Sequence, residues 1–214
     1  MNADTEIFFV SGNAGNLECA LDLPKKNPVG IALLAHPHPL YGGTMNNKVV
    51  QMMARSFIGL GFLAVRMNFR GVGKSEGAHD FGNGETEDME NVLEHMQRKY
   101  PNLPVVLGGF SFGTYVQSRL QQQMVLKGNP PEGMVFVSTT AGKWAVEKVP
   151  ENTLLIHGEM DEVVPLSDVF NWARPQDLSV VVVAGADHLF NHKLHHIRRI
   201  ITTAFKNRQE AGNF

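Results

Sequence analysis

The chain has 214 residues, 43% of them apolar and 19% charged, with a formal net charge of −2; a chain of this size folds as one domain and buries roughly 70% of its unfolded surface. The charge balance provides no basic stripe for neutralising phosphates, so nucleic acid is not an expected partner. No run approaches the roughly 20 apolar residues of a membrane span, and Met1 to Glu6 lack the cationic start and apolar run of a signal peptide, so the expectation is a cytoplasmic protein with no membrane partner and one domain over residues 1–214.

In chain order, Glu6 to Val10 and Leu17 to Leu21 flank a loop of turn formers, Ser11 to Asn16, which predicts an antiparallel hairpin. The lone cysteine, Cys19, alternates with Leu17 and Leu21 and is expected to be a buried structural residue. Six apolar runs follow: Ile31 to Ala35, Phe62 to Met67, Val105 to Phe110, Met134 to Ser138, Thr153 to His157 and Val180 to Ala184. Apolar on both faces, they read as buried parallel strands. Between most of them lie segments with helical spacing: Val49, Met52, Met53, Ser56 and Phe57, then Met89, Val92, Leu93 and Met96, then Tyr115 to Leu126. The expected architecture is therefore α/β, a mostly parallel central sheet with helices on both faces. Ile197, Ile200, Ile201, Ala204 and Phe205 place an apolar stripe on a terminal helix. The interval from Phe110 to Thr153 has no room for a large cap beside its helix and strand.

Gly109-Phe110-Ser111-Phe112-Gly113 closes an apolar strand and opens a helical segment, the context a G-x-S-x-G nucleophile elbow requires. A serine hydroxyl is a weak nucleophile at neutral pH and needs a base within hydrogen-bond reach. Of nine histidines, His188 follows the last strand-like run, and loops at the carboxyl ends of parallel strands converge, so His188 and Ser111 can meet. His36 and His157 close strands and read as hydrogen-bonded residues beneath the site. His192 and His196, four apart, would share a face of the terminal helix; without H-E-x-x-H or a third ligand they read as solvated, and no metal is expected. The orienting acid is expected at Asp161, beyond Leu154 to Gly158, in the chain order Ser, Asp, His; Glu159, Glu162 and Asp187 are the neighbouring alternatives. An oxyanion donor comes with the elbow, the Phe112 N–H at a helix N-terminus. A second is expected from the loop His36 to Lys48, where Pro37 and Pro39 have no N–H; His38, Leu40 and Tyr41 remain, with Leu40 placed ahead of His38. Tyr41, Met45, Phe110 and Leu189 are candidate walls of an acyl pocket.

These residues resemble the α/β-hydrolase superfamily and, within it, the small lidless bacterial serine hydrolases that carry a HPHPLYGGTMNNK segment. The resemblance runs from His36 to His188 and rests on His36 to Lys48, Asn68 to Ser75, Gly82-Asn83-Gly84-Glu85, Gly109 to Gly113, His157 to Pro165 and Gly185 to Phe190. It implies the fold and the triad Ser111, His188 and Asp161, and it says little about substrate, since such proteins are mostly described as hydrolases or esterases. The glycines of Arg70 to Ser75 fit neither phosphate-loop pattern and read as a tight turn, with Arg70 bonded to carbonyls or an acidic neighbour. Glu85, Glu87 and Asp88 fall where a helix N-terminus favours negative charge.

The expected activity is hydrolysis of small or short-chain carboxylic esters through an acyl-enzyme, with a small-molecule ester as partner and no cofactor. A thioesterase or serine peptidase would use the same site. A non-catalytic binding protein on this fold is the rival from another class.

Overall fold

The computed structural model describes residues 5–210. Met1 to Asp4, on which much of the signal-peptide reading rests, lie outside the described residues. One eight-stranded sheet runs through the protein in the order β1-β2-β4-β3-β5-β6-β7-β8. Its strands are β1 (Glu6–Gly12), β2 (Gly15–Asp22), β3 (Ile31–Ala35), β4 (Leu63–Met67), β5 (Val105–Phe110), β6 (Gly133–Val137), β7 (Leu154–Gly158) and β8 (Val180–Val183). From β4 to β8 neighbouring strands pair parallel, and the β1–β2 hairpin joins antiparallel through β2 and β4. All six apolar runs are strands.

The hairpin is tighter than its sequence suggests. Ser11 and Asn16 pair, as do Gly12 and Gly15, leaving Asn13 and Ala14 as a two-residue turn. Gly15 at φ 121° lies where a side chain would be strained, which lets the ladder continue through residues that composition alone assigns to loop.

Side chains alternate across each strand, and the sheet separates two apolar layers. On one side Leu33, Val65, Leu107 and Phe136 pack with α2 (Asn83–Lys99) and α3 (Phe112–Leu126). On the other, Leu34, Val106 and Val135 pack with α1 (Lys48–Gly59) and α5 (Leu194–Glu210). Phe57 of α1 meets the Phe205 ring of α5 edge-on at 5.0 Å and the Phe62 ring at 5.5 Å; losing a fully buried ring of this kind costs about 3–5 kcal/mol. An eight-residue helix, α4 (Leu166–Ala173), lies between β7 and β8; it is absent from the segments expected from the sequence, although Leu166, Val169, Phe170 and Ala173 recur at helical spacing. His192 precedes α5 in a turn, at φ 58°, so it does not share a helix face with His196. Cys19 is fully buried, and burial, with Glu18 and Asp88 nearby, pushes its thiol up to about 12.

Two buried ion pairs fix the loops at the sheet's carboxyl edge. Arg66, in the apolar run of β4, meets Asp22 at 2.8 Å and donates to the Met45 carbonyl at 3.1 Å. Arg70 grips Asp88 of α2 with two bonds of 2.7 Å, the planar two-point geometry that suits a guanidinium. Among the described residues no helix is long and apolar enough to cross a membrane.

Candidate active site

The turn from β5 into α3 holds Ser111 at φ 54° and ψ −123°, a conformation costing about 1–3 kcal/mol that persists only where its surroundings enforce it. Here the Ser111 N–H is tied to the Val137 carbonyl at 3.0 Å. The flanking glycines allow the close approach: a Cβ on Gly109 would stand 2.6 Å from the Gly113 carbonyl oxygen, and one on Gly113 would stand 2.5 Å from that of Ala35. The hydroxyl projects from the sheet's carboxyl edge.

His188 and Asp161 come to that hydroxyl from the loops after β8 and β7. His188 Nε2 lies 3.0 Å from Ser111 Oγ, and His188 Nδ1 lies 2.7 Å from Asp161 Oδ2. The other Asp161 oxygen accepts the N–H groups of Val163 and Val164 at 3.0 and 2.8 Å. Burial opposes charge on Asp161, yet the bonds from His188 and Val164 and the nearby imidazoles outweigh it and hold the carboxyl below its ordinary range. A charged Asp161 selects the Nδ1–H tautomer of His188 and leaves Nε2 free to accept the serine proton. Asp187 turns away, accepting both the N–H and the side-chain amide of Asn191. Glu159 caps the Gly185 N–H, and Glu162 lines the cleft wall. Ser138, at φ 50°, donates its hydroxyl to the His188 carbonyl at 3.1 Å; nothing in its sequence surroundings marks that role.

Both strand-ending histidines lie beneath the site. His36 accepts the Phe69 N–H at Nε2 (3.0 Å), so its Nδ1 carries the proton given to the Pro37 carbonyl at 2.6 Å. His157 Nε2 donates to the Val164 carbonyl at 2.9 Å, bracing the turn that holds Asp161. Burial lowers the pKa of both, that of His36 to about 3. The unfolded chain therefore takes up protons near pH 6.5 that the folded protein refuses. Stability should be fully present above pH 6.5 and fall as pH drops below it, for His36 down toward pH 3 at up to about 1.4 kcal/mol per pH unit, with His157 acting in the same direction. Urea midpoints at pH 7.5 and 5.0, above the range where most carboxylates titrate, check this; equal midpoints would contradict it.

In the loop after β3, a single 3₁₀ turn at Pro39–Tyr41 decides which N–H groups are engaged. The Leu40 N–H donates to His38 Nδ1 at 3.2 Å, and the Tyr41 N–H to the His38 carbonyl at 3.1 Å. Among the described residues the His38 N–H has no acceptor, whereas that of Leu40, placed ahead of it in the sequence reading, is engaged. Leu40 is 69% exposed and does not line the cleft. Met45 does not either: it is buried, with its N–H on Asn68 and its carbonyl on Arg66.

Ser111 and His188 open into a cleft of about 1090 Å³ whose walls include His38, Tyr41, Phe110, Trp144, Met160, Val163 and Leu189. Three of the four expected wall residues are present, while Trp144, Met160 and Val163 carry no signal in the sequence. The short β6–β7 segment makes only a small turn around the Ala141–Trp144 bridge; among the described residues no large cap covers the cleft. Residues 30–204 match the family described as alpha/beta hydrolase domain. The chain belongs to the alpha/beta hydrolase family.

Among structures similar to this alpha/beta hydrolase is a serine hydrolase without lid from Xanthomonas campestris, 32% identical, covering 97% of this chain and 96% of that one with a TM-score of 0.88. A serine hydrolase homologue from Coxiella burnetii is 35% identical, covering 92% and 96% of the two chains with a TM-score of 0.83. An uncharacterized protein of Rickettsia prowazekii is 31% identical over 92% of this chain and 86% of its own. Among the described residues of this hydrolase, no group of three or more His, Cys, Asp or Glu side chains is arranged to hold a metal ion.

Proposed function

We propose that this alpha/beta hydrolase cleaves carboxylic esters of small or short acyl groups through an acyl-enzyme. The observation that carries the reading is the unbroken chain from Ser111 Oγ through His188 to Asp161 at the floor of an open cleft. His188 Nε2 takes the Ser111 proton as Oγ attacks the ester carbonyl, and Asp161 stabilises the imidazolium that forms. The N–H groups of Phe112 and His38 receive the oxyanion, a contribution worth about 3–4 kcal/mol per donor in comparable sites. Collapse of the tetrahedral adduct expels the alcohol with a proton from His188. Water then attacks the acyl-serine with His188 as base, releases the acid and restores Ser111.

A fluorophosphonate should label the protein at Ser111. A matched series of esters and thioesters of increasing acyl length should show highest turnover with short esters. Because no large cap has to open, rates should follow simple saturation below the solubility limit. A sharp rise only on forming droplets or micelles would contradict an open site, and uniformly faster thioester turnover would move the reading to a thioesterase.

A further inference from the structure

The segment Gly82-Asn83-Gly84-Glu85 touches neither Ser111 nor His188, yet it is built closely around one carboxylate. Glu85, fully buried, accepts the Gly82 N–H at 2.8 Å on one oxygen. On the other it accepts the Asp80 N–H at 2.9 Å and stands 2.7 Å from His79 Nδ1. The two glycines leave no slack: a Cβ on Gly82 would stand 2.3 Å from the Tyr115 ring, and one on Gly84 would stand 1.8 Å from the Arg70 guanidinium. This grip sets the His79 ring. Its side chain is 6% exposed, and Nε2 has no hydrogen-bond partner among the described residues, so its hydrogen bonding ends at Glu85 and packing determines what its far side does.

The His79 ring packs against Phe81 and Phe112, and most closely against His38. The two histidine ring centroids are 4.8 Å apart, and Phe112 and Trp144 close around the His38 ring at 4.8 and 5.6 Å. The Tyr41 ring lies at 4.9 Å, and in this packing of the half-buried His38 ring Nδ1 accepts the Leu40 N–H. Burial and the neighbouring His79 keep His38 below the ordinary histidine range, with Glu85 opposing; the neutral form is the one whose Nδ1 can accept. The peptide between Pro37 and His38 is fixed from its other end too. Its carbonyl accepts His36 Nδ1–H at 2.6 Å, and Gly43 packs against it so closely that a Cβ there would stand 2.0 Å from the oxygen. A trans peptide is planar, with C=O and N–H pointing in opposite directions. Holding its carbonyl below and its Cα side through the ring therefore fixes where the N–H points.

Resting on the ester-hydrolase reading above, we propose that His79, clamped by Glu85, is a positioning residue that fixes the His38 ring and, through it, the backbone N–H that receives the oxyanion. Neither His79 nor Glu85 touches substrate in this arrangement. Their effect belongs to the transition state, where negative charge on the oxygen makes the direction of the donor count, and the ground-state ester is held by other walls of the cleft.

The experiment compares wild type, His79→Ala, His79→Phe and Glu85→Gln on one soluble short-chain ester, with fluorophosphonate labelling of each and thermal midpoints to confirm folding. In His79→Ala, kcat should fall roughly 10- to 100-fold, somewhat less than when an oxyanion donor is removed outright, with little change in KM. Affinity for a trifluoromethyl ketone, which forms a serine adduct bearing an oxyanion, should fall in parallel with kcat/KM, as expected of a transition-state mimic. A non-reactive ester isostere should bind all variants alike. His79→Phe keeps a ring against His38 and should recover most of the loss; Glu85→Gln should lie between. Unchanged kcat in His79→Ala overturns the proposal. So does a loss carried by KM and shared by the isostere, which would make His79 a substrate contact, and so does a His79→Phe variant as impaired as His79→Ala. A wild-type protein that the fluorophosphonate does not label removes the ester-hydrolase reading itself, a result distinct from any difference among the variants.

Discussion

Ser111→Ala should abolish fluorophosphonate labelling and lower ester turnover by several orders of magnitude, on the order of 10⁶ where the serine of such a triad is removed. The substitution removes one oxygen and keeps Cβ. The features that hold the elbow are untouched: the Ser111 N–H on the Val137 carbonyl, the Thr114 N–H and hydroxyl on the Ser111 carbonyl, and the glycines at 109 and 113. Stability should stay close to that of wild type or rise slightly, because the hydroxyl's partner, His188 Nε2, lies at the cleft surface and can be solvated. Binding of a non-reactive ester isostere should persist, which separates lost chemistry from lost fold. A folded Ser111→Ala protein that still labels or turns over normally would remove Ser111 from the mechanism.

The parts of the site that were legible in the sequence are those set by local chain geometry. A serine between glycines at the end of an apolar run has few structural uses, and loops that follow parallel strands share one edge of the sheet, so Ser111, Asp161 and His188 could be brought together without coordinates. The second oxyanion donor could not be chosen this way. Proline chemistry narrowed it to three N–H groups, but which remained unengaged depended on a 3₁₀ turn and on the His38 ring folding back onto the Leu40 N–H. Residues whose partners are remote in sequence were equally hidden. Arg66 sits inside an apolar strand because Asp22, 44 positions away, neutralises it. Glu85 and Asp88 do fall at the start of a helix, where the macrodipole accounts for negative charge, but their burial follows from His79 and Arg70. Met45 looked like a pocket wall by composition and proved to be buried behind the loop, held by Asn68 and Arg66.

Asp161→Asn should cost turnover by a factor of up to about 10⁴ while leaving the fold in place. Asparagine keeps one carbonyl oxygen, which can occupy the place of Oδ1 and still accept the N–H groups of Val163 and Val164. The turn after β7 therefore survives, braced as before by His157 on the Val164 carbonyl. The atom that changes is the one facing His188. An amide nitrogen now presents protons where Oδ2 accepted one at 2.7 Å, so the imidazole can keep that contact only by carrying its own proton on Nε2. In that tautomer Nε2 donates toward Ser111 Oγ and cannot take its proton, and the imidazolium formed during attack loses its counter-charge. Asp187→Asn supplies the contrast. Its carboxylate bonds the backbone and side chain of Asn191 and stays clear of the imidazole ring, so the substitution should loosen the turn before α5 with a small effect on turnover. Both variants should be compared at saturating substrate, with circular dichroism confirming that each is folded. If Asp187→Asn is the crippled variant and Asp161→Asn stays near wild type, Asp161 is not the orienting acid, and Ser111 and His188 would need another partner for the imidazolium.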